Sequence, residues 1–412
     1  MMTWITDEAL EQARAILAAG PICDECLGRG FAKLGHGLSN ASRGQSLREA
    51  LSAPPAERAC WVCDGLFDRT EAWAEQAASL ASGIEFETYL FGVQLTPRLK
   101  EIEAYRAERF PTEHAGSLKH AFNRVVGQAF ERRVGAGTVD FNDPHISFLI
   151  DLGANSLSVH VASLYVYARY CKLVRGIPQT RWPCRACRGK GCEACEMTGK
   201  QYRESVEEWI GGPLIAAAEA AEHKLHGAGR EDIDARMLGP GRPFVLEIVT
   251  PRLRSLDLQS LHRRINERAA GRVEISMPVF VSRSVVARIK SIEATKRYLA
   301  EVVFDADVSP ERLKDALASL VGPIEQRTPH RVSHRRADKI RTRRVLSADG
   351  EIRGPREARV EVEGEGGLYI KELISGDDDR TIPSLAMRLG VPARVTALDV
   401  VDVCSDAFEK LG

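Results

Sequence analysis

The sequence predicts an α+β protein of two or three domains, in which a mixed sheet is flanked by helices. The chain has 412 residues and is 44% hydrophobic, which is enough to build more than one core. Apolar residues recur at helical spacing in some segments and alternate in others, so helices and strands are interspersed along the chain. Eight of the 10 cysteines form Cys-x-x-Cys pairs, which indicates small metal-binding modules beside the sheet.

Charge and hydropathy patterns limit the possible surroundings of the chain. The formal net charge is zero, so a surface that binds nucleic acid must be a local basic patch. No segment approaches the roughly 20 consecutive apolar residues of a membrane span. The first ten residues lack the basic start and apolar core of a signal peptide. We therefore expect a cytoplasmic protein without membrane association.

The paired cysteines predict structural zinc. Without a secretory signal, such pairs indicate metal binding before disulfides, and four thiolates close a tetrahedral shell around zinc. The second quartet is compact and resembles the zinc repeat of DnaJ-type chaperones. The alternative is a dithiol redox centre, which needs a pair that opens a helix after a strand, and the pattern predicts no such context. The expected quartets are Cys23, Cys26, Cys60 and Cys63, then Cys184, Cys187, Cys192 and Cys195.

The first half of the chain predicts a zinc segment over 1–65 and an α/β domain over 66–180. Helical periodicity covers 7–18, 69–82 and 118–133, whereas strand patterns cover 86–93, 146–152, 156–161 and 164–173. These elements and the closing Arg175-Gly-Ile-Pro-Gln-Thr180 resemble a THUMP domain, an RNA-binding module of tRNA-modifying enzymes. An α/β core without a binding role remains the alternative.

The second half, 181–412, contains the candidate site. After a Cys-rich insert over 181–200 and an alanine-rich helix, the segment His226–Phe244 carries four glycines and two prolines. These residues argue against a regular helix or strand across most of it. The segment also contains the carboxylates Asp232 and Asp234. On chemistry alone, a functional loop and a solvated surface crossover are equally acceptable interpretations.

A basic run lies further along, over residues 327–344. Such a run on a neutral chain is typical of a surface that binds phosphates without reading sequence, although a solvated strand edge is the alternative. The basic residues are Arg327, His330, Arg331, His334, Arg335, Arg336, Lys339, Arg341, Arg343 and Arg344.

Three short motifs resemble the catalytic motifs of pseudouridine synthases. They are Gly229-Arg-Glu-Asp232, Lys296-Arg-Tyr298 and Tyr369-Ile-Lys-Glu-Leu373. Together with the cysteine pairs and the THUMP-like part, they identify the chain as similar to the archaeal tRNA pseudouridine synthases of the Pus-ten family. The resemblance implies a mixed catalytic sheet over 181–412. It also implies isomerisation of uridines 54 and 55 in the TΨC arm of tRNA, with no protein partner.

The same resemblance implies residue roles. Asp232 would act as the catalytic carboxylate, with Lys371 paired to it, and Asp234 would stabilise the loop or pair with an arginine. Tyr298 would lie against the target base and could take its C5 proton. The remaining substrate-binding residues are Tyr369 in the uridine site, Leu373 as an apolar wall, and Arg230, which would fill the space of the extruded base. The isomerisation needs no redox cofactor and no catalytic metal.

Two other classes of function are weighed against this one. A THUMP methyltransferase would carry a nucleotide-binding glycine loop, and a thiolation enzyme a Ser-Gly-Gly-x-Asp-Ser loop. Neither loop is present, although Gly227-Ala-Gly229 is a weak partial match to the first. A non-catalytic tRNA-binding zinc protein would bind tRNA equally well without Asp232.

Overall fold

The computed structural model describes residues 4–335 and 337–411, apart from the side chains of 334 and 335. Contacts divide the chain into two units, Met1–Ala162 and Ser163–Gly412. None of the helices within these described ranges is long and apolar enough to cross a bilayer.

The first unit joins a helical part to a small sheet. The predicted helix over 7–18 is confirmed with the same bounds, and Thr6 caps it by accepting a hydrogen bond from the amide of Ala9. The elements of this unit are α1 (Asp7–Ala18), α2 (Asp24–Arg29), α3 (Asn40–Leu51), α4 (Thr70–Ala81), β1 (Thr88–Gln94), α5 (Pro97–Arg109), α6 (Leu118–Val134), β2 (Thr138–Val139), β3 (Ile146–Asp151) and β4 (Ser156–Val161).

Aromatic side chains hold the sheet of the first unit against its helices. The strand order is β2-β1-β3-β4, in which β1 is parallel to both neighbours and β3 is antiparallel to β4. Phe91 of β1 stacks on Phe148 of β3 with ring centroids 4.8 Å apart. Phe130 of α6 packs on Phe148 at 5.1 Å. The apolar stripe predicted on the helix over 118–133 therefore faces a core.

The second unit is built on a larger sheet. Its elements are β5 (Leu164–Lys172), α7 (Val206–Ala218), β6 (Glu222–Gly227), β7 (Ala235–Val249), α8 (Leu258–Ala269), β8 (Val273–Ile275), β9 (Val279–Phe280), α9 (Ser284–Ser291), β10 (Thr295–Phe304), α10 (Pro310–Ala318), β11 (Gly322–Arg327), β12 (Ile340–Gly354), β13 (Glu357–Gly364), α11 (Ile370–Ser375), β14 (Thr381–Ile382), α12 (Leu385–Leu389) and β15 (Ala393–Cys404).

The predicted α+β class with a mixed sheet is confirmed. Strands follow the order β14-β11-β12-β13-β10-β15-β7-β5-β8, with β6 paired to β7 and β9 paired to β5. β7 and β15 run parallel, and the other pairings between described strands of this sheet are antiparallel. At the parallel join, Ala235 of β7 faces Leu398 of β15, and on the other side of β15 Tyr298 of the antiparallel β10 faces Val400. The loop over 228–234 enters the sheet at this point.

Two expectations about this loop were wrong. A helix was expected to lead directly into the loop. In the structure α7 ends at Ala218, and strand β6 leads into the loop instead. Strand β7 also begins at Ala235 and continues through the glycines and prolines. Gly239 and Gly241 adopt positive φ of 60° and 78°, and a Cβ on Gly239 would lie 2.1 Å from the carbonyl oxygen of Val401. The glycines therefore form an irregularity inside the strand, where the ladder with β5 shifts register.

The third strand-like run of the first half also belongs elsewhere than expected. β5 pairs with β7 in the larger sheet, and the division between the units falls at Ala162 and Ser163. The alternation of apolar residues along 164–172 identifies a strand correctly, but it does not identify the sheet that the strand joins.

Candidate active site

A cavity of about 680 Å³ lies beside the loop over 228–234. Its volume suits a small ligand such as a nucleoside. Its lining comes from the loop, β7, the start of β10, the segment that leads into α11 and the middle of β15, together with Trp182 and the short helical turn around Arg331. Its lining includes Trp182, Arg230, Glu231, Asp232, Asp234, Arg242, Lys296, Tyr298, Arg331, Tyr369, Lys371, Leu398 and Val400.

The carboxylate of Asp232 reaches the cavity in a pair with Arg331. Its Oδ2 atom lies 2.9 Å from a terminal nitrogen of Arg331. The same guanidinium donates to both oxygens of Glu372, at 2.6 and 3.3 Å. Burial works to lower the pKa of Arg331, but Glu372 and Asp232 together raise the pKa above its usual value. Arg331 is thus a permanent cation in direct contact with the Asp232 carboxylate.

Lys371 takes a different principal partner from the one expected. Its Nζ atom donates to both oxygens of Asp234, at 2.8 and 2.6 Å, and lies 3.7 Å from Asp232. Burial works to raise the pKa of Asp234, but the Lys371 ammonium outweighs it and the pKa is lowered. The close cation at Asp232 is Arg331, and the partner of Asp234 is a lysine rather than an arginine. Lys371 Nζ therefore lies nearer to Asp234, which is the more exposed of the two carboxylates.

Buried donors hold the backbone on which Asp232 stands. Lys172 is fully buried at the end of β5, and its ammonium donates to the carbonyl oxygens of Ile177, Asp232 and Ile233 at 3.0 to 3.1 Å. Arg175 donates to the carbonyl of Asp234 at 2.8 Å. Three hydrogen bonds from one lysine satisfy its donors and restrict the backbone on both sides of Asp232.

A second anchor lies beneath the loop. The side chains of Glu231 and Arg242 are 0% and 1% exposed, and Arg242 Nε donates to Glu231 Oε2 at 2.8 Å. Tyr170 donates its hydroxyl proton to the same carboxylate, at 2.8 Å from Oε2, and Gln179 donates to the Tyr170 oxygen at 2.8 Å. Each polar group of this cluster has a partner, as buried charges require.

Aromatic and apolar groups complete the cavity. Tyr298 of β10 is 8% exposed. Burial raises its pKa to about 12, with Arg242 opposing and Asp232 adding to the shift. Tyr369 stands just before α11, where its backbone nitrogen donates to Gln326 and the Arg331 guanidinium lies 5.9 Å from its ring. The structure therefore brings Tyr298 and Tyr369 to one cavity with Asp232.

Leu373 does not line this cavity. It lies on α11 and is 0% exposed within the core of the second unit. The motif continues as a helix after Tyr369, and Leu373 lies two residues, or about half a turn, from Lys371, so these two side chains leave opposite sides of the helix. Leu398 and Val400 of β15 supply apolar lining instead. Arg230 does reach the cavity, where its Nε donates to Gln179 at 3.3 Å.

Both predicted cysteine quartets are assembled. In each, the four sulfur atoms lie within 4.8 Å of one another. Sulfur–sulfur distances of 3.7 to 3.9 Å are too long for disulfides, and they match the edge of roughly 3.8 Å of a tetrahedron with Zn–S bonds near 2.3 Å. Backbone amides of Gly191 and Gly199 donate to Cys187 and Cys195 at 3.2 Å. These groups could hold a metal ion.

The basic run is partly neutralised by carboxylates. Arg327 pairs with Asp338 at 2.6 Å, and Asp338 also accepts from Arg380 at 2.8 Å. Arg331 belongs to the cavity. Lys339 and Arg344 are exposed. Arg336 and the side chains of His334 and Arg335 lie outside the described residues.

Two family models match the chain. One, described as "Pus10, C-terminal", covers residues 165–404, and "Pus10 THUMP domain, archaeal" covers residues 73–151. The chain belongs to the Pus10 family. The family boundaries leave β5 with the C-terminal part, in agreement with its place in the larger sheet. The expected boundary at residue 180 would separate β5 and residues 175–180 from the sheet and loop that they contact.

Three curated relatives carry the same name. A protein of Methanothrix thermoacetophila is 45% identical over 97% of this chain and 95% of its own length, and one of Halorubrum lacusprofundi is 46% identical over 96% of each. An Archaeoglobus fulgidus protein is 45% identical over 84% of this chain and 94% of its own length. All three are named tRNA pseudouridine synthase Pus10. A crystal structure of a Cbf5-Nop10-Gar1 complex is 18% identical over 56% of this chain and 50% of its own, with a TM-score of 0.30, too low to support an argument.

Several residues of the site were not singled out from the sequence. Arg331 was one member of a long basic run, and nothing in that run distinguishes it. Glu231 and Arg242 both lie in the glycine-rich segment His226–Phe244. The sequence signal for their pairing is a glutamate in this segment that is followed by Gly241-Arg-Pro-Phe244. Lys172 ends an apolar strand, and a lysine at such a position is a signal for a buried donor.

Proposed function

We propose that the chain isomerises uridines 54 and 55 in the TΨC arm of tRNA, with Asp232 as the nucleophile. Family membership makes the chain a tRNA pseudouridine synthase, and the nucleophile and the target positions are the proposal. The observation that carries it is the Asp232 carboxylate, which faces a cavity of about 680 Å³ and lies 2.9 Å from the guanidinium of Arg331.

The proposed chemistry moves one glycosidic bond. The Asp232 carboxylate attacks C1′, the N1–C1′ bond breaks, and its electron pair leaves with the uracil ring. The ring turns within the cavity, C5 attacks C1′, and the carboxylate departs. Loss of the C5 proton and protonation of N1 then give the neutral, conjugated ring of pseudouridine. The buried hydrogen bonds from Lys172 support this role, because an attacking atom must be held within a few tenths of an ångström.

Tyr298 is proposed to support the base rather than to remove its proton. A pKa raised to about 12 by burial, against the opposing effect of Arg242, keeps the phenol protonated at neutral pH. A protonated phenol is a poor acceptor for a carbon-bound proton. We therefore assign the C5 proton to the carboxylate that the second step releases, which differs from the role expected for Tyr298.

The target nucleotide must leave its stack to reach the cavity. Arg230 is exposed at the rim, where its guanidinium can occupy the space that the base vacates. The exposed cations Lys339 and Arg344 support the positioning of RNA phosphates nearby. A tRNA substrate also agrees with a cytoplasmic location.

We propose that both quartets hold structural zinc. The sulfur spacing fits its tetrahedral shell, and four thiolates leave no position open for substrate. At Cys23, Cys26, Cys60 and Cys63, a buried Arg106 supports the fit: two of its guanidinium nitrogens have no partner among the described residues. Burial lowers the pKa of Arg106 to about 10, while Glu103 and Cys26 oppose the shift. Bound zinc would cross-link segments that are far apart in the chain.

Replacement of Asp232 separates an enzyme from a binding protein. Tritium release from C5-labelled tRNA and tRNA affinity would be measured for the Asp232→Ala variant and the wild type. The proposal expects lost release with intact affinity. Release at the wild-type rate would contradict it.

Transcripts with uridine at position 54 or 55 alone would test the two target positions. Metal analysis of Cys23→Ser and Cys184→Ser variants would identify the ion at each quartet.

A further inference from the structure

Lys296 is a charged residue of the cavity to which the proposed chemistry gives no role. It lies two residues before Tyr298 on β10, so both side chains project from one face of the strand. Both line the cavity with Asp232. Its neighbours across the sheet are Gly364 on β13 and Val403 on β15, and neither carries a charge.

The ammonium of Lys296 lies close to the catalytic loop. A Cβ on Gly229 would be 3.1 Å from Lys296 Nζ and 3.1 Å from a terminal nitrogen of Arg242. Gly229 also adopts a φ of +84°, a conformation that favours glycine. The glycine therefore allows two cations to approach the backbone of the loop.

No protein acceptor satisfies this ammonium. None of the hydrogen bonds or ion pairs found among the described residues involves Lys296, in contrast to Lys172 and Lys371. Glu231 is the carboxylate that acts on the pKa of Lys296, and it already accepts hydrogen bonds from Arg242 and Tyr170. Burial lowers the pKa of Lys296 to about 8, Arg242 adds to the shift, and Glu231 opposes it. Three N–H donors thus remain available on the side of the cavity.

The proposed reaction creates an acceptor in this cavity. When the N1–C1′ bond breaks, the electron pair spreads over N1 and the carbonyl oxygens of the uracil ring. A fixed donor that strengthens its hydrogen bond as this charge develops stabilises the transition state more than the bound substrate. Arg331 and Lys371 are engaged by carboxylates, and Arg242 is buried with Glu231. Among the described cations of the cavity, Lys296 and Arg230 have donors to spare, and Arg230 lies exposed at the rim, where it already contacts Gln179.

We propose that Lys296 is a further catalytic residue, whose ammonium donates to a uracil carbonyl oxygen and stabilises the base anion as it leaves C1′. This role rests on the proposed function. It also gives a reason for keeping an unpaired cation beside Arg242, where it has no structural partner.

The test compares leaving groups. Lys296→Gln and Lys296→Arg variants would be assayed under single turnover on tRNA that contains uridine or 5-fluorouridine at the target position. Loss of the starting nucleoside would be followed by nuclease digestion and mass spectrometry. With uridine, we expect Lys296→Gln to be slower by about 10²–10³-fold at unchanged tRNA affinity, and Lys296→Arg to recover part of the loss. The 5-fluorouracil anion is the more stable leaving group, so the loss should be smaller on that substrate.

A pH profile of the wild type keeps the proposal testable if a variant fails to fold. The charged and titratable groups that face Lys296 are Arg242 on β7, Glu231 in the loop and Tyr298 on its own strand. The single-turnover rate should fall above about pH 8 as the ammonium loses its proton, and Lys296→Arg should shift the fall to higher pH.

The outcomes separate the two proposals. A wild-type protein that leaves uridine unchanged overturns the proposed function. An active wild type with an equally fast Lys296→Gln variant, an equal loss on both substrates, or a rate that stays flat through pH 9 overturns only the role of Lys296.

Discussion

Glu231 and Asp232 are neighbours on one loop, yet they occupy opposite environments. The Glu231 side chain is 0% exposed and pairs with Arg242, which is 1% exposed. Asp232 is 31% exposed and pairs with Arg331, which is 34% exposed. A fully buried pair cannot exchange its partner for a substrate, whereas a pair at a cavity can do so with little desolvation. We infer from this difference that the first pair anchors the loop and that the second is available for the proposed reaction.

The largest effect on stability is expected at the buried pair. Glu231→Gln leaves the Arg242 charge buried without a counterion, so the free energy of unfolding should fall by about 3–5 kcal/mol. Denaturant unfolding at pH 7 would measure the change. The matched control is Glu351→Gln, which breaks an exposed pair with Arg353 and should cost less than about 1 kcal/mol. Equal losses for both variants would remove the distinction between buried and open pairs.

A substitution at Lys296 should raise stability while it slows the reaction. The folded-state pKa of about 8 lies below the ordinary 10.5, so the charged lysine destabilises the fold below pH 8. Lys296→Met removes a cost on the order of 3 kcal/mol at pH 7. The gain should shrink as pH rises from 8 towards 10.5, because the lysine then becomes neutral in the folded state. Unfolding curves at pH 7 and pH 10 would show it, and a destabilised variant at pH 7 would contradict an unpaired, half-buried ammonium.

The pair at the cavity should affect the rate, and its loss also costs stability because Arg331 is the counterion of the buried Glu372. Arg331→Gln removes the cation at 2.9 Å from Asp232 and releases Glu372, so the single-turnover rate should fall by on the order of 10²-fold. That factor corresponds to about 2.7 kcal/mol of transition-state free energy. Arg327→Gln is the matched control, because Arg327 pairs with the exposed Asp338. A rate loss as large in the control would point to phosphate binding by the basic run instead.

The smallest effect is expected at Asp234. Its side chain is 67% exposed and its partner Lys371 also lies near Asp232, so Asp234→Asn should slow the reaction by less than about tenfold. The same single-turnover assay would measure it. A loss comparable to that of an Asp232 variant would mean that the two aspartates exchange roles.

Local sequence patterns predicted the elements well and their assignments less well. The helix over 7–18 and the strand β10 follow from periodicity alone. The sheet that β5 joins depends on contacts with residues at least 65 positions away, the separation of Lys172 and Met237, which no local pattern contains. The strand through Gly239 and Gly241 was missed because glycines usually end strands, and here the close approach of the Val401 carbonyl requires the first and that of the Tyr170 carbonyl the second.

The candidate site shows the same limit. Motif spacing selected Asp232, Tyr298 and Tyr369, which the fold brings to one cavity. Leu373 was expected to line the cavity because of its position in a motif. In the structure it lies on α11 and is buried in the core. Which lysine or arginine meets which carboxylate depends on side-chain reach in three dimensions. That is why Arg331 was missed, and why Lys371, which does pair with Asp232, was not also expected to make its shorter contact with Asp234.

The proposal that Glu231 anchors the loop while Asp232 reacts can be tested with one variant measured in two ways. For Asp232→Asn, the free energy of unfolding and the single-turnover rate of pseudouridine formation would be determined on the same preparation. Arg331 keeps Glu372 as its counterion, so unfolding should change by less than about 1 kcal/mol while the rate falls by on the order of 10⁴-fold. A variant that retains its rate, or that loses as much stability as Glu231→Gln, would contradict the assignment of Asp232 as the reacting group.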